Sequence, residues 1–363
     1  MSGVVIGLPV EVKDGEDRVA LTPSGVHAVG VDGHRVVVEA SAGAAAGYTD
    51  DEYRAAGAEV TGDVDTVWAA DVVVKVKEPQ PSEHRHLRRG LTLFGFLHLA
   101  AEPELTAVLV ERGVAAYAFE TLSEAGGLPL LAPMSEIAGR AAAIVAAATL
   151  SSASGGSGVL VGGAAGVPPG EVVVIGLGVA GRLAAHGLRG LGGHVTGVDV
   201  DLSRLLARRL DGAVDATQVS EPRHVDELVR GADVVIGAAL VPGRRAPVVV
   251  SEESVAAMAD GGVVIDLAID QGGCVATSRP TTLSEPTFTR HGVVHYAVTN
   301  VPGQYPRTAS AALSAAVTPR LTRLASDVAA GTADDLAGAR NVADGAVVHP
   351  AVAEAHPDLP SRL

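Results

Sequence analysis

Short apolar runs alternate with amphipathic segments along most of the chain. The runs Val4–Leu8, Val72–Val76 and Val172–Ile175 are continuous rather than alternating, which is typical of strands buried on both faces. Helix-start signals lie between such runs, as where Thr22, a good N-cap residue, precedes Pro23. The pattern predicts an α/β protein with two doubly wound, Rossmann-like domains built on parallel sheets.

The predicted strands fall into two groups along the chain. They are Val4–Leu8, Val36–Glu39, Val72–Val76, Leu91–Phe94 and Ala115–Phe119, followed by Val172–Ile175, Val195–Asp199, Asp233–Ile236, Gly262–Asp266 and His295–Val298. After Pro306 the pattern predicts no further strand, but a long helix over Ala309–Ala330 and a polar tail. If this helix packs back on the first group, the first domain is discontinuous and the second is inserted into it.

Composition restricts the class of protein. The chain has 27 Lys and Arg against 42 Asp and Glu, a net charge of −15, which argues against partners such as nucleic acid or anionic membranes. A single cysteine, Cys274, excludes an internal disulfide and fits a reducing compartment. The first residues lack the basic and apolar regions of a secretory signal. We therefore expect a cytoplasmic protein.

The segment from Ala141 to Gly170 carries no formal charge and tests that expectation. Its apolar part, Ala141–Leu150, is shorter than the ~20 residues of a membrane span, and serines and glycines interrupt the rest. A buried helix followed by a tight loop is the better interpretation.

A glycine motif, Gly-Leu-Gly-Val-Ala-Gly, follows directly after the strand Val172–Ile175. Gly176 permits a tight turn, Gly178 allows the backbone to approach a pyrophosphate, and Gly181 allows close packing of helix on strand. Asp199, at the end of the next strand, would accept hydrogen bonds from the ribose hydroxyls. The context predicts a dinucleotide site; an S-adenosylmethionine site, or a simple turn with Asp199 as a helix cap, remains the alternative.

The same aspartate predicts which dinucleotide binds. The carboxylate of Asp199 would repel a 2′-phosphate, so the sequence favours NAD over NADP. Arg204, five residues further on, would weaken that preference.

Several further segments resemble motifs of the alanine dehydrogenases and the related transhydrogenase α subunits. They lie within residues 4–320 and follow the order that the motifs have in that family. They are Glu16–Pro23, Val74–Pro79, Leu97–Ala101, Leu130–Arg140, Gly158–Gly163 and Ile265–Cys274. The resemblance implies NAD-dependent oxidative deamination of an L-amino acid, with L-alanine and pyruvate as the first expectation. It also implies that each chain has two domains and that six copies of the chain assemble into a hexamer. The substrate domain would comprise residues 1–131 and 303–363, and the NAD domain residues 132–302.

The resemblance also assigns roles to individual residues. Arg18 would hold the substrate carboxylate, Lys75 would contact the carboxylate and the keto oxygen, and His98 would be the general acid and base. Asp270 would lie beside the nicotinamide and the substrate amine. The remaining residues implied for the NAD site are Ser135, Asp199, Val298 and Asn300.

These residue types suit the reaction. A guanidinium binds a carboxylate bidentately, a carboxylate stabilises the cationic imine left by hydride loss, and a histidine moves protons near neutral pH. Without the resemblance, Arg18 is read as a surface residue and His98 as a core histidine. Asp270 is read either as a helix cap or as a site residue at the carboxyl edge of the sheet. Lys75, predicted inside an apolar strand, would have a lowered pKa if it is buried near Arg18.

Two other groups of residues are read as structural. Cys274 has no nearby base, so an inert thiol is favoured over a nucleophile. The run Glu83–His86 has two histidines but is polar, which indicates a solvated loop rather than a metal site, and we expect no bound metal.

The chain departs from the family pattern at three places, namely Gly95 with Phe96, Val301, and the segment Ala309–Ala315. They replace residues that are larger or more polar in the family. If these positions border the substrate pocket, a larger amino acid would fit. The alternatives are therefore the same reaction on another amino acid, or a non-catalytic, transhydrogenase-like NAD-binding component.

Overall fold

The computed structural model describes residues 3–241, 245–332 and 336–363. The chain divides into two compact units, the first formed by Met1–Met134 with Gly303–Leu363 and the second by Ser135–Pro302. Each unit contains one mainly parallel β-sheet covered by helices, so the α/β, Rossmann-like prediction is confirmed.

The secondary structure alternates between strands and helices in both units. The strands are β1 (Val5–Leu8), β2 (Arg35–Glu39), β3 (Glu59–Thr61), β4 (Val72–Val74), β5 (Thr92–Gly95), β6 (Ala115–Ala118), β7 (Glu171–Ile175), β8 (His194–Asp199), β9 (Ala216–Val219), β10 (Val234–Gly237), β11 (Val263–Asp266), β12 (Thr287–Arg290), β13 (Val293–Tyr296), β14 (Arg340–Ala343) and β15 (Ala346–Val347). The α-helices are α1 (Pro23–Val31), α2 (Asp50–Ala55), α3 (Val64–Trp68), α4 (Pro103–Arg112), α5 (Ala132–Thr149), α6 (Val179–Gly190), α7 (Leu202–Leu210), α8 (Pro222–Arg230), α9 (Glu252–Ala256), α10 (Pro306–Ala330) and α11 (Pro350–Ala355).

The sheet of the first unit has the strand order β15-β14-β6-β5-β4-β1-β2-β3. Strands β1 to β6 pair in parallel, whereas β14 is antiparallel to both β6 and β15. The prediction that strands end after Pro306 is therefore wrong. Asp344 and Gly345 both have positive φ angles, 49° and 75°, and form the tight turn between β14 and β15. An Asp-Gly pair is a strong hairpin signal, and it was missed because the flanking strands are so short.

The sheet of the second unit has the order β12-β13-β11-β10-β7-β8-β9 and is parallel except for β12. Its core is built from Val, Leu, Ile and Ala side chains of the central strands and of helices α5 and α6. None of the helices in the described ranges is both long and apolar enough to cross a membrane.

Helix α10 is attached to the segment before α1 by hydrogen bonds. The Ser310 hydroxyl accepts from the N–H of Val19 at 3.0 Å, and the Ser314 hydroxyl accepts from the N–H of Thr22 at 3.0 Å. Both serines are almost fully buried. The small residues over Ala309–Ala315 thus allow α10 to lie close to the chain that carries Arg18.

Candidate functional site

Polar side chains of the first unit lie at the carboxyl ends of four neighbouring strands, β1, β4, β5 and β6. Arg18 is in the loop after β1, Lys75 follows β4 directly, His98 follows β5, and Glu120 follows β6. The carboxyl edge of a parallel sheet is where ligands bind in open α/β folds. The structure therefore places the two predicted substrate residues, Arg18 and Lys75, and the predicted general acid and base, His98, at one edge of one sheet.

Arg18 is buried, with 3% of its surface exposed, so it is not a surface arginine. Its Nε and Nη2 atoms donate to the two carboxylate oxygens of Glu16 at 2.6 and 2.5 Å. Burial raises the pKa of Glu16, but the hydrogen bonds and charge of Arg18 outweigh it and hold the pKa below its usual value. Glu16 fixes the plane of the guanidinium, and sequence reasoning missed it.

Lys75 lies one residue beyond the end of β4, not inside the strand as predicted. Its ammonium is 2.8 Å from Glu83 Oε1 and 3.3 Å from Glu11 Oε2, and the residue is 1% exposed. Burial lowers the pKa of Lys75, but these two carboxylates more than compensate, so its pKa is raised. The expected lowered pKa is therefore wrong. The Glu83–His86 run is not a solvated loop either, since Glu83 points inward.

His98 is held by its backbone. It adopts a left-handed conformation, with φ 49° and ψ 35°, which is uncommon outside glycine and is frequent at functional sites. The carboxylate of Glu120 stabilises this turn by accepting the N–H groups of Leu97 at 3.3 Å and His98 at 2.7 Å. The imidazole is half-buried and nearly parallel to the ring of Phe96, with centroids 6.1 Å apart. Glu120 and Phe96 thus hold the backbone and the ring of His98 from two sides.

The departures at Gly95 and Phe96 also have local explanations. A Cβ atom on Gly95 would lie 2.8 Å from the carbonyl oxygen of Lys75, so glycine allows the ends of β4 and β5 to approach each other. Phe96 is buried and packs edge-on against Phe119, with ring centroids 5.1 Å apart.

In the second unit, the glycine motif forms the turn between β7 and α6. Gly176 has φ 89°, and Gly178 is the residue before the first turn of α6. A Cβ on Gly181 would lie 1.8 Å from the carbonyl oxygen of Gly176. Only glycine fits at this position. A Cβ on Gly178 would meet no atom within 4 Å. The turn therefore has open space in front of a helix N-terminus, as a dinucleotide pyrophosphate requires.

Asp199 lies beside this turn and is nearly buried. Its carboxylate accepts the N–H of Leu177 at 2.7 Å and that of Asp201 at 3.0 Å, and it pairs with the Arg204 guanidinium at 3.1 Å. The cap of helix α7 is Asp201, which accepts the N–H groups at the start of the helix. The reading of Asp199 as a helix cap is thus wrong.

Ser135 and Gly139 share one face of α5, since they are four residues apart. A Cβ on Gly139 would lie 2.2 Å from the carbonyl oxygen of Ala180, which places this face against the glycine turn. The predicted cofactor residue Ser135 lies one helical turn before Gly139 on that face.

Asp270 and Asn300 meet at the carboxyl ends of β11 and β13. The N–H of Asn300 is 3.3 Å from both carboxylate oxygens of Asp270, and Asn300 has φ 60°. Asp270 itself is exposed, in a 3₁₀ turn over Ile269–Gln271. Val298, also predicted for the cofactor site, is buried two residues before Asn300.

The loop that carries Asp270 is anchored by Asp266, which sequence reasoning missed. This buried carboxylate accepts the N–H groups of Ala268, Cys274 and Val275 at 3.0 to 3.1 Å. Burial raises the pKa of the Cys274 thiol, and the neighbouring Asp266 raises it further. The thiol therefore stays protonated and unreactive. Within the described ranges, no group of three or more His, Cys, Asp or Glu side chains is placed to hold a metal ion.

The mainly parallel sheet in each unit, the glycine turn with its acid on the next strand, and the polar sheet edge define an α/β protein of the dinucleotide-binding class. Residues 7–138 match the description "Alanine dehydrogenase/PNT, N-terminal domain" and residues 142–350 match "Alanine dehydrogenase/PNT, C-terminal domain". The chain belongs to the alanine dehydrogenase/PNT family.

Individual relatives are similar over nearly the whole chain. An alanine dehydrogenase of Bacillus subtilis is 47% identical over 357 residues, which cover 96% of this chain and 94% of that protein. An alanine dehydrogenase of Mycolicibacterium smegmatis is 45% identical over 97% of this chain and 96% of its own length.

Solved structures of relatives are also similar to this chain over nearly its whole length. One titled L-alanine dehydrogenase is 43% identical with a TM-score of 0.91, covering 98% of this chain and 99% of that one. A transhydrogenase from Sinorhizobium meliloti is 28% identical with a TM-score of 0.81, covering 96% of this chain and 99% of its own.

Proposed function

We propose that this protein catalyses the reversible NAD-dependent oxidative deamination of L-alanine. L-Alanine, NAD and water give pyruvate, ammonium, NADH and a proton. The observation that carries the proposal is the 47% identity to an alanine dehydrogenase over 96% of the chain. It is supported by the presence, in described parts of the structure, of each residue type that the reaction needs.

We propose that NAD is held by the glycine turn, with Asp199 on the ribose and Ser135, Val298 and Asn300 along the same site. Bound NAD supplies the acceptor for the hydride that leaves Cα of the amino acid. The open space in front of Gly178 and the free N-terminus of α6 support this placement.

The substrate would be oriented by the first unit. Arg18 would bind its carboxylate through the Nη1–Nη2 edge, next to the Nε–Nη2 edge that Glu16 occupies, in place of the contact that Nη1 makes with Met134 Sδ. Lys75 would donate to the carboxylate and to the keto oxygen of pyruvate. His98 would take the proton from the water that adds to the imine and return it to the leaving amine. Asp270 would stabilise the positive charge on the imine nitrogen.

The test is a substrate panel assayed in both directions. The wild-type protein should form NADH from L-alanine and consume NADH with pyruvate and ammonium, faster than with any larger amino or keto acid. If the protein prefers a larger substrate, it catalyses the same reaction on another amino acid. Tight NAD binding with no turnover on any of them would favour a transhydrogenase-like component.

Cofactor choice gives a first prediction. Asp199→Ala should reduce kcat/KM with NAD and raise it with NADP, shifting the ratio about 10- to 100-fold, because it removes a repulsive carboxylate and releases the half-exposed Arg204 for a 2′-phosphate. Steady-state kinetics with both cofactors measure the shift. The double variant Asp199→Ala, Arg204→Ala should lose most of the gain with NADP; if it keeps the gain, Arg204 has no part in it.

We also propose, from family membership, that the protein works in the cytoplasm as a homohexamer. Light scattering coupled to size-exclusion chromatography tests the assembly, and a monomer at micromolar concentration would refute it.

A further inference from the structure

The ammonium of Lys75 contacts two carboxylates, although one would balance its single positive charge. Two buried carboxylates, Glu11 and Glu83, contact one buried cation, and the face of Trp68 lies 5.9 Å from Nζ. A lysine ammonium has three N–H donors. Two point to the carboxylates, and the structure gives the third no acceptor among the described residues.

Both carboxylates are fixed by the backbone. Glu83 Oε2 accepts the N–H of Gln80 at 2.8 Å, in the 3₁₀ turn that follows β4. The Glu11 oxygens accept the N–H groups of Val76 and Lys77 at 2.5 and 3.3 Å. Each carboxylate therefore has one oxygen on Lys75 and is held by the main chain close to it.

A flexible lysine that is fixed in advance loses less rotamer entropy when it binds its ligand. Glu11 and Glu83 also raise the pKa of Lys75 although burial lowers it, and burial in turn raises the pKa of Glu11. Both effects leave one charged N–H of Lys75 without a carboxylate partner among the described residues, at the carboxyl edge of the sheet.

We propose that Glu83, assisted by Glu11, is a positioning residue that directs the remaining N–H of Lys75 at the 2-oxo acid. Neither carboxylate touches the substrate. This inference rests on the proposed function, which makes Lys75 a substrate ligand, and it extends that function to two residues outside the predicted site.

The main test is Glu83→Gln, which keeps the size of the side chain and an acceptor oxygen but removes its charge. KM for pyruvate should rise about tenfold or more, because Lys75 loses a charge-assisted hydrogen bond. KM for NADH should stay within twofold, since the cofactor residues lie in the other unit. A purely structural role would raise both constants together, and that result would overturn the proposal.

The chain offers a matched control in Glu78→Gln. Glu78 is a buried carboxylate just after β4, but it pairs with Lys13 rather than Lys75. This variant should leave KM for pyruvate unchanged. An equal rise in both variants would mean that any lost carboxylate in this segment has the same effect, which contradicts the proposal.

A binding measurement keeps the test valid if turnover is lost. Trp68 is the single tryptophan of the chain, so its emission reports on the surroundings of Lys75. Titration with pyruvate should quench wild-type emission, with at least tenfold weaker apparent affinity in Glu83→Gln and intermediate affinity in Glu83→Asp. Equal affinities would overturn the positioning role. If the wild type itself neither turns over nor binds pyruvate, the proposed function fails instead.

Discussion

Asp270→Asn is expected to leave NAD binding intact and to slow NADH formation from L-alanine about 10²- to 10³-fold. Hydride loss from the amino acid leaves a cationic imine, and a carboxylate stabilises this charge where a neutral amide does not. The amide has nearly the same shape, and its oxygen can still accept the N–H of Asn300, which both carboxylate oxygens now face at 3.3 Å. Steady-state rates and calorimetric NAD titration measure the two effects.

The control for this variant is Asp260→Asn. Asp260 is exposed, as Asp270 is, but it lies before the other end of β11. It should retain full turnover. If Asp270→Asn keeps more than half of the wild-type rate, the carboxylate does not stabilise the developing charge, and the proposed role is lost.

The parts of the site that sequence predicts are those with local signals. The glycine turn, the strand before it and the acid at the end of the next strand are all set by short-range backbone requirements. The cap of α1 by Thr22 belongs to the same class, and it is present.

The residues that pair with the site residues could not be predicted from local sequence signals. Glu11 reaches Lys75 across 64 positions of sequence, and this pairing depends on the parallel neighbours β1 and β4. One signal was available, because a buried lysine requires a compensating charge. It predicts that a partner exists but does not say which glutamate provides it.

The missed strands β3, β9 and β12 have a common cause. Each lies at the edge of a sheet, and none of them has a fully buried residue. Continuous apolar runs mark strands that are covered on both faces, so partly exposed edge strands give no such run.

Two of the six non-glycine residues with positive φ among the described residues belong to the predicted site, one in each unit. His98 and Asn300 are non-glycine residues in the left-handed region, and each is held there by a carboxylate that accepts its N–H. Such conformations cost of order 1–3 kcal/mol and persist where neighbouring structure enforces them. That Glu120 and Asp270 both supply this support suggests that the orientation of the two turns matters for function.

Arg18→Met is expected to lower the free energy of unfolding by about 3–5 kcal/mol and to raise KM for L-alanine. The stability loss arises because the carboxylate of Glu16, 1% exposed, remains buried after the guanidinium is removed. The KM rise arises because the substrate carboxylate loses its bidentate donor. Urea unfolding and steady-state kinetics measure the two effects.

The double variant Arg18→Met, Glu16→Gln separates stability from binding. Removing both charges should restore most of the stability, whereas KM for L-alanine should stay raised; recovery of both would mean that Arg18 has only a structural role.

The pH dependence of the free energy of unfolding gives a second check. Because folding lowers the pKa of Glu16, the pair contributes its full stability above the unfolded value of about 4.3 and loses it as the pH falls through the folded pKa. Glu16→Gln should therefore lose less stability than the wild type on acidification, and an identical acid profile would contradict the ion pair.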